Sequence, residues 1–364
     1  MKCKEFFKII EKFIPIETQE IYDNCGLQIG NPNEEIKGIV YSVDVNLGTI
    51  NFAIENKCNL IISHHPFIFK GIKRIDLSTK DGEIIEQSIK NKIVIYSAHT
   101  NFDKFHKGVS AALANQLNLK QMLVLEPEKN NLKKLVTFCP ENYAETLRKA
   151  LFDAGAGNIG NYDACSFNAS GFGTFRAGEN TNPFVGQKGE LHKEPEVRIE
   201  TVFEKWNQKK ILKALFAFHP YEEVAFDIYS LDNEYNKLGL GVLGQLEKPM
   251  SSEDFLGFVK KSLNVKILKH NDFFVEKINK VAVCGGAGIS LLNTAISSGA
   301  QAFITADLKY HDFQAASDRI LLIDAGHFET EIFALEALKS FVSENLSNFV
   351  PQFIFPDTNW VKIF

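Results

Sequence analysis

The 364-residue chain is short of sulfur and of net charge, with six cysteines, three methionines and a formal charge of −5. Cys3, Cys25, Cys58, Cys139, Cys165 and Cys284 form no CxxC pair and keep no regular spacing. That argues against both a zinc ribbon and a disulfide framework, and for free thiols in a reducing compartment. No apolar run approaches the roughly 20 residues that span a bilayer. The N-terminal MKCKEFFKIIEKFIPIE alternates charged and apolar residues as a helix does, unlike a secretion signal. A soluble, cytoplasmic protein without a membrane partner is expected. The charge balance gives no basic footprint, so nucleic acid is not an expected partner either. Also missing are a GxSxG elbow and a cysteine–histidine motif. CGGAGISLL (284–292) lacks the lysine of a P-loop. It reads equally as a phosphate cradle at a helix start or as a tight turn that needs positive φ at glycine.

What is present is an alternation of strands and helices. Residues 37–45, 58–65 and 92–99 are apolar runs rich in β-branched residues, separated by the helical patterns LGTINFAIENK and GEIIEQSIKNK and followed by VSAALANQLNL. The same grammar returns at 280–288, 300–307 and 319–327. It predicts an α/β fold with parallel pairing and helices on both sheet faces. Between these halves, EPEKNNLKK (126–134) reads as a polar linker. It leads into a β-α-β-β-α-β series with a Gly-rich hairpin, the order of a ferredoxin-like α+β module. The expected organisation is a discontinuous core, 1–129 and 236–364, interrupted by an inserted domain at 130–235.

The nine histidines are not scattered evenly. His64 and His65 end one strand, His99 another with Asp103 close behind. Asp307 ends a later strand with His311 four residues on, and His327 follows the last with Glu331 four residues on. Ligands of open α/β sheets gather beyond the carboxyl ends of strands, so these ends are candidates to converge on one pocket. His327 and Glu331, four apart at a helix start, share a face. Adjacent His64 and His65 would splay at a strand terminus and suit two neighbouring ions better than one chelate. Taken singly, a strand-end histidine such as His99 reads as a hydrogen-bonded structural residue, and an HxxxE pair as a helix-start surface pair. Together, mixed imidazole and carboxylate ligands suit Zn²⁺, Fe²⁺ or Mn²⁺ over Ca²⁺ or Mg²⁺.

With those residues in view, YDNCGLQIG (22–30), ISHHPFIFKGIK (62–73), YSAHTNFD (96–103), VAVCGGAG (281–288), ITADLKYHD (304–312) and IDAGHFETE (323–331) together resemble the Ngg-one-interacting-factor-three-like family, known in bacteria as GTP cyclohydrolase I type two homologues. The middle region, with GNIGNYDACSF and HPYEEVAFDIY, resembles the PII/CutA-like module of its longer members. The resemblance implies a dinuclear site of two divalent ions (Zn, Fe or Mn) on His64, His65, Asp103, His327 and Glu331. It places His99, Asp307 and His311 nearby as substrate-facing or proton-handling groups, and implies a toroidal homohexamer. Tyr22 stands where tryptophan is usual and Ala306 where glycine is common. The expected function is metal-dependent hydrolysis of a nucleotide or related small molecule through an activated water. The alternative is a non-catalytic metal-handling protein whose insert senses a ligand.

Overall fold

Runs of β-branched and aromatic residues in the two halves of the chain build two separate core sheets. The computed structural model describes residues 1–346, 350–356 and 359–363. In the first sheet the order is Gly26–Ile29, Val94–Ser97, Leu60–Ser63, Ile39–Ser42, Gln352–Ile354. Its inner strands pair in parallel, and only the Gly26–Ile29 edge runs antiparallel, to Val94–Ser97. Both faces are apolar, as buried parallel strands require. Ile39, Tyr41, Leu60, Ile62, Val94 and Tyr96 pack in one cluster with the helices Cys3–Ile10 and Phe333–Leu346. The alternate residues Val40, Ile61 and Ile95 pack in another, with the helices Leu47–Glu55 and Lys80–Lys90.

The second sheet repeats the device. Its order is Lys269–His270, Leu321–Asp324, Ala302–Thr305, Ile278–Val283, Tyr235–Met250, Lys120–Glu128. The central pairs are parallel, while Lys269–His270 and Tyr235–Met250 join antiparallel. Val281, Ile304 and Ile323 face one cluster, and Ala282, Phe303 and Leu322 the opposite one. Antiparallel edges were not legible because a single alternating pattern serves either direction.

The chain divides into two compact units, Met1–Pro127 with Asn236–Phe364, and Glu128–Tyr235. The second is a four-stranded antiparallel sheet in the order Phe167–Arg176, Leu191–Glu204, Leu132–Pro140, Phe226–Leu231. Numbered along the chain this is 2-3-1-4, the arrangement of a ferredoxin-like β-α-β-β-α-β unit. Its helices Ala144–Asp153 and Gln208–Phe218 cover one face through Leu147, Leu151, Ile211 and Leu215. The polar stretch 126–134 is a linker only at 129–131; on either side it is strand. Polarity misled there, because Lys133 and Lys134 find partners in Gln208 and Glu200 (2.6 and 3.0 Å), so charged residues extend the ladder. No helix among the described residues is long and apolar enough to cross a membrane.

Candidate functional site

The site begins where the buried strands of the first core sheet run out. His64 N–H and His65 N–H continue the parallel ladder by donating to Ser42 O (3.0 Å) and Val43 O (2.9 Å). The Ser97 and Ser63 hydroxyls then clamp the backbone by donating to His64 O and His65 O, each at 2.8 Å. The two imidazoles diverge by 41°, ring centres 5.0 Å apart, as a strand terminus permits. His99 stands 5.2 and 5.4 Å from them, edge-on to both. From the second sheet, the turn after Leu321–Asp324 carries Gly326 at φ +91° into the short helix His327–Glu331. That helix brings the His327 ring within 5.3 Å of His65.

All four rings are oriented by one rule: Nδ1 faces an oxygen acceptor, so Nδ1 carries the proton and Nε2 is left with its lone pair. His64 Nδ1 donates to Ala98 O (2.9 Å). His65 donates to Asp44 (2.9 Å), His99 to Asp23 (2.8 Å) and His327 to Asp307 (2.7 Å). Such carboxylate–histidine pairs commonly stand behind metal-ligating imidazoles and fix their orientation.

Opposite the Nε2 atoms sit carboxylates. Glu331 Oε1 is 3.0 Å from His327 Nε2 and 3.6 Å from His64 Nε2, while Oε2 is 3.1 Å from His65 Nε2. Asp103 Oδ1 is 3.5 Å from His64 Nε2. Lone pairs of neutral imidazoles turned on carboxylate oxygens repel unless a proton or a cation lies between them. His64 Nε2, Asp103 Oδ1 and Glu331 Oε2 are buried without a hydrogen-bond partner among the described residues. Leaving such atoms unmatched costs about 1–3 kcal/mol each. Two groups, His64–His65–His99 and His65–His327–Glu331, bring three ligand atoms close enough to share an ion. The donor set therefore fits divalent metal.

Without metal, the carboxylates draw protons onto the rings. Burial lowers the proton affinity of His65, but Asp44 and Glu331 overcome it and push its pKa up to about 10. The Glu331 hydrogen bond, aided by Asp307, raises His327 to about 9 despite burial. His64 is likewise raised, burial being outweighed by Glu331 and Asp103. Glu331, which burial alone would protonate, is held well below the carboxylate range by His64, His327 and His65.

The CGGAG turn serves this cluster. Gly286 N–H donates to Thr330 Oγ1 (3.0 Å), and its carbonyl accepts from Thr305 Oγ1 (2.8 Å). At φ +59°, a Cβ on Gly286 would lie 2.3 Å from Glu331 Oε1. Of the two sequence readings, the tight turn is the one built, and it packs directly against the Glu331 carboxylate.

Seven of the eight singled-out residues meet here: His64, His65, His99, Asp103, Asp307, His327 and Glu331. His311 does not join either three-residue group; it is exposed on the helix Tyr310–Ala316, its Nδ1 3.1 Å from Gln314. His99 takes a more central place than a flanking role implies, lying in a potential ligand group. Two carboxylates that hold ring protons of this cluster, Asp23 and Asp44, are not among the residues the sequence singled out. Asp44 carried a usable signal, since it too stands just past a strand, at the end of YSVD.

A two-sheet α/β core gathers, at its strand ends, imidazoles and carboxylates that could hold a metal ion. The chain belongs to the Duf34/NIF3 (NGG1p interacting factor 3) family, whose model matches residues 1–359. A Bacillus subtilis relative named GTP cyclohydrolase 1 type 2 homolog is 39% identical over 90% of this chain and 89% of its own. A relative of the same name from Staphylococcus epidermidis is 35% identical over 97% and 96%. The crystal structure of a Bacillus cereus protein related to NIF3 superposes with a TM-score of 0.87 at 37% identity, covering 100% of this chain and 99% of that one.

Proposed function

We propose that the protein is a dinuclear metal-dependent hydrolase of a nucleotide or related small molecule. His64, His65, Asp103, His327 and Glu331 hold two divalent ions, with Zn, Fe or Mn the fitting class. The observation that carries this reading is the inward turn of the His64, His65 and His327 Nε2 atoms onto Glu331 and Asp103, whose buried Oε2 and Oδ1 atoms lack a hydrogen-bond partner among the described residues. Bound ions would supply Lewis-acid polarisation and an activated water at neutral pH. The chain's own residues orient and buffer. Asp44 and Asp307 fix the His65 and His327 tautomers through their Nδ1 protons. His99, anchored on Asp23, stands beside both His64 and His65 as a further ligand or proton-handling group. His311, exposed on the helix Tyr310–Ala316, is the group of this set that exchanges protons with solvent. In this reading the chain works in the cytoplasm as a toroidal homohexamer with sites facing an internal cavity.

Mass spectrometry of products from metal-loaded protein with GTP and a nucleotide panel tests the activity, with Asp103→Ala as the site-dead control. Turnover by the parent alone supports the hydrolase. Stoichiometric metal with every nucleotide unchanged removes it and favours the second reading, a metal-handling protein with a ligand-sensing, PII/CutA-like insert. A specific observation supports that alternative: the inserted unit has its own cavity of about 640 Å³, walled by Phe175, Phe184, Tyr221 and Glu196.

A further inference from the structure

Beside the imidazole cluster lies a cavity of about 390 Å³ whose wall includes Asp44, His65, Asp307 and His327. This volume falls within the range of small-molecule sites. Its far wall is supplied by the C-terminal segment, where Trp360 and Val361 line the space with Ile267. These side chains are 68%, 71% and 53% exposed. The segment is pinned by Asn359 Nδ2 donating to Glu329 Oε1 (2.9 Å) and by Val361 N–H donating to Asn359 Oδ1 (2.9 Å). The Trp360 indole therefore stands at the mouth of the cavity with much of its surface uncovered.

We propose that this cavity seats the substrate and that Trp360 is the platform on which a planar nitrogen heterocycle carrying an anionic group stacks. The inference rests on the hydrolase reading only in treating the ligand as a substrate. Stacking of a heterocycle on an aromatic side chain contributes about 1–3 kcal/mol. The polar groups around it match such a ligand. Lys269 is committed to Asp324 (3.3 Å), whereas Lys266 makes no ion pair among the described residues and takes the anion. Asp307 and Glu329 on the same wall supply carboxylate oxygens for ring N–H donors. A purely apolar ligand would leave the Lys266 charge unanswered, and free phosphate would leave Trp360 unused. With the ring on Trp360, the rest of the molecule lies alongside His65 and His327.

Trp206 is the second of the chain's two tryptophans and sits in the inserted unit. In a Trp206→Phe protein the indole emission therefore reports on Trp360 alone. GMP is expected to quench it saturably with or without zinc, guanosine to quench it more weakly, and ribose 5-phosphate not at all. Trp360→Leu should weaken GMP binding at least tenfold by calorimetry while Trp360→Phe keeps most of it, both retaining their metal content. Lys266→Ala should bring GMP and guanosine affinities to within a few-fold of each other. Unchanged emission at saturating GMP and AMP overturns the proposal, as does equal GMP affinity in the Leu and Phe variants. If those variants bind alike while nucleotide turnover persists, the platform falls and the hydrolase stands. Quenching without turnover of any nucleotide supports the pocket and removes the hydrolase.

Discussion

Each imidazole in the cluster is useful because something behind it holds the proton on Nδ1. Asp44→Asn replaces the carboxylate behind His65 by a neutral amide and leaves the ring free to present either nitrogen. Changes of this kind typically cost 10–100-fold in metal affinity. Metal titration of the variant should show that loss with the fold unchanged; undiminished affinity would mean Asp44 plays no orienting part. Gly286 tests the same site from the other side. An alanine there meets Glu331 Oε1 at 2.3 Å on a backbone at φ +59°. A left-handed backbone alone costs an L-residue about 1–2 kcal/mol. Gly286→Ala is therefore expected to lower thermal stability modestly and metal stoichiometry sharply. Full metal content in this variant would contradict the packing of the turn against the carboxylate.

At the level of elements, strand ends carry most of the cluster. Ile61 and Ile62 leading into His64 and His65, and the four-residue spacing of His327 and Glu331, were visible because strand and helix periods dictate where side chains go. Asp44 shared the strand-end signal, but Asp23 was harder to see: its partner lies 76 residues away in sequence, and a lone carboxylate in a loop has no periodicity to give it away. The helix Gln208–Phe218 offers a test in the inserted unit. At its C-terminal end His219 Nε2–H donates to Phe138 O (2.8 Å), and its Nδ1 accepts from Tyr221 N–H (3.1 Å), a pattern only the neutral ring can make. Burial lowers its pKa from the ordinary 6.5, with Phe138 O and Glu196 pulling weakly the other way. Between the lowered value and 6.5 the unfolded chain binds more protons than the folded one. Its stabilising contribution is thus complete above 6.5 and is lost as pH falls below it, by at most about 1.4 kcal/mol per pH unit for one proton. Hydrogen exchange of the Gln208–Phe218 amides, corrected for intrinsic rates, should show protection falling from pH 7 to 5.5, and His219→Gln should flatten that slope. An equal slope in both proteins would assign the effect elsewhere.

For the whole molecule, the alternation of strand and helix patterns was enough to give an α/β core carrying a smaller α+β unit in mid-chain. It was not enough to separate the core into two sheets. Residues such as Val281 and Ile39 have the same apolar, β-branched character whichever sheet they join, and only long-range pairing decides. The hexamer carried by the family resemblance is open to direct test. Sedimentation equilibrium should give six times the chain mass of 40.9 kDa, and a monomer at micromolar concentration would contradict it.

The claim on which the rest depends is that the cluster around Glu331 holds two ions. Protein stripped by chelator, reloaded with Zn²⁺, Fe²⁺ or Mn²⁺ and freed of excess metal should retain about two ions per chain by inductively coupled plasma mass spectrometry. Glu331→Gln, nearly isosteric but uncharged, should retain fewer than one. No retained metal in the parent, or two ions in the variant, would contradict the account.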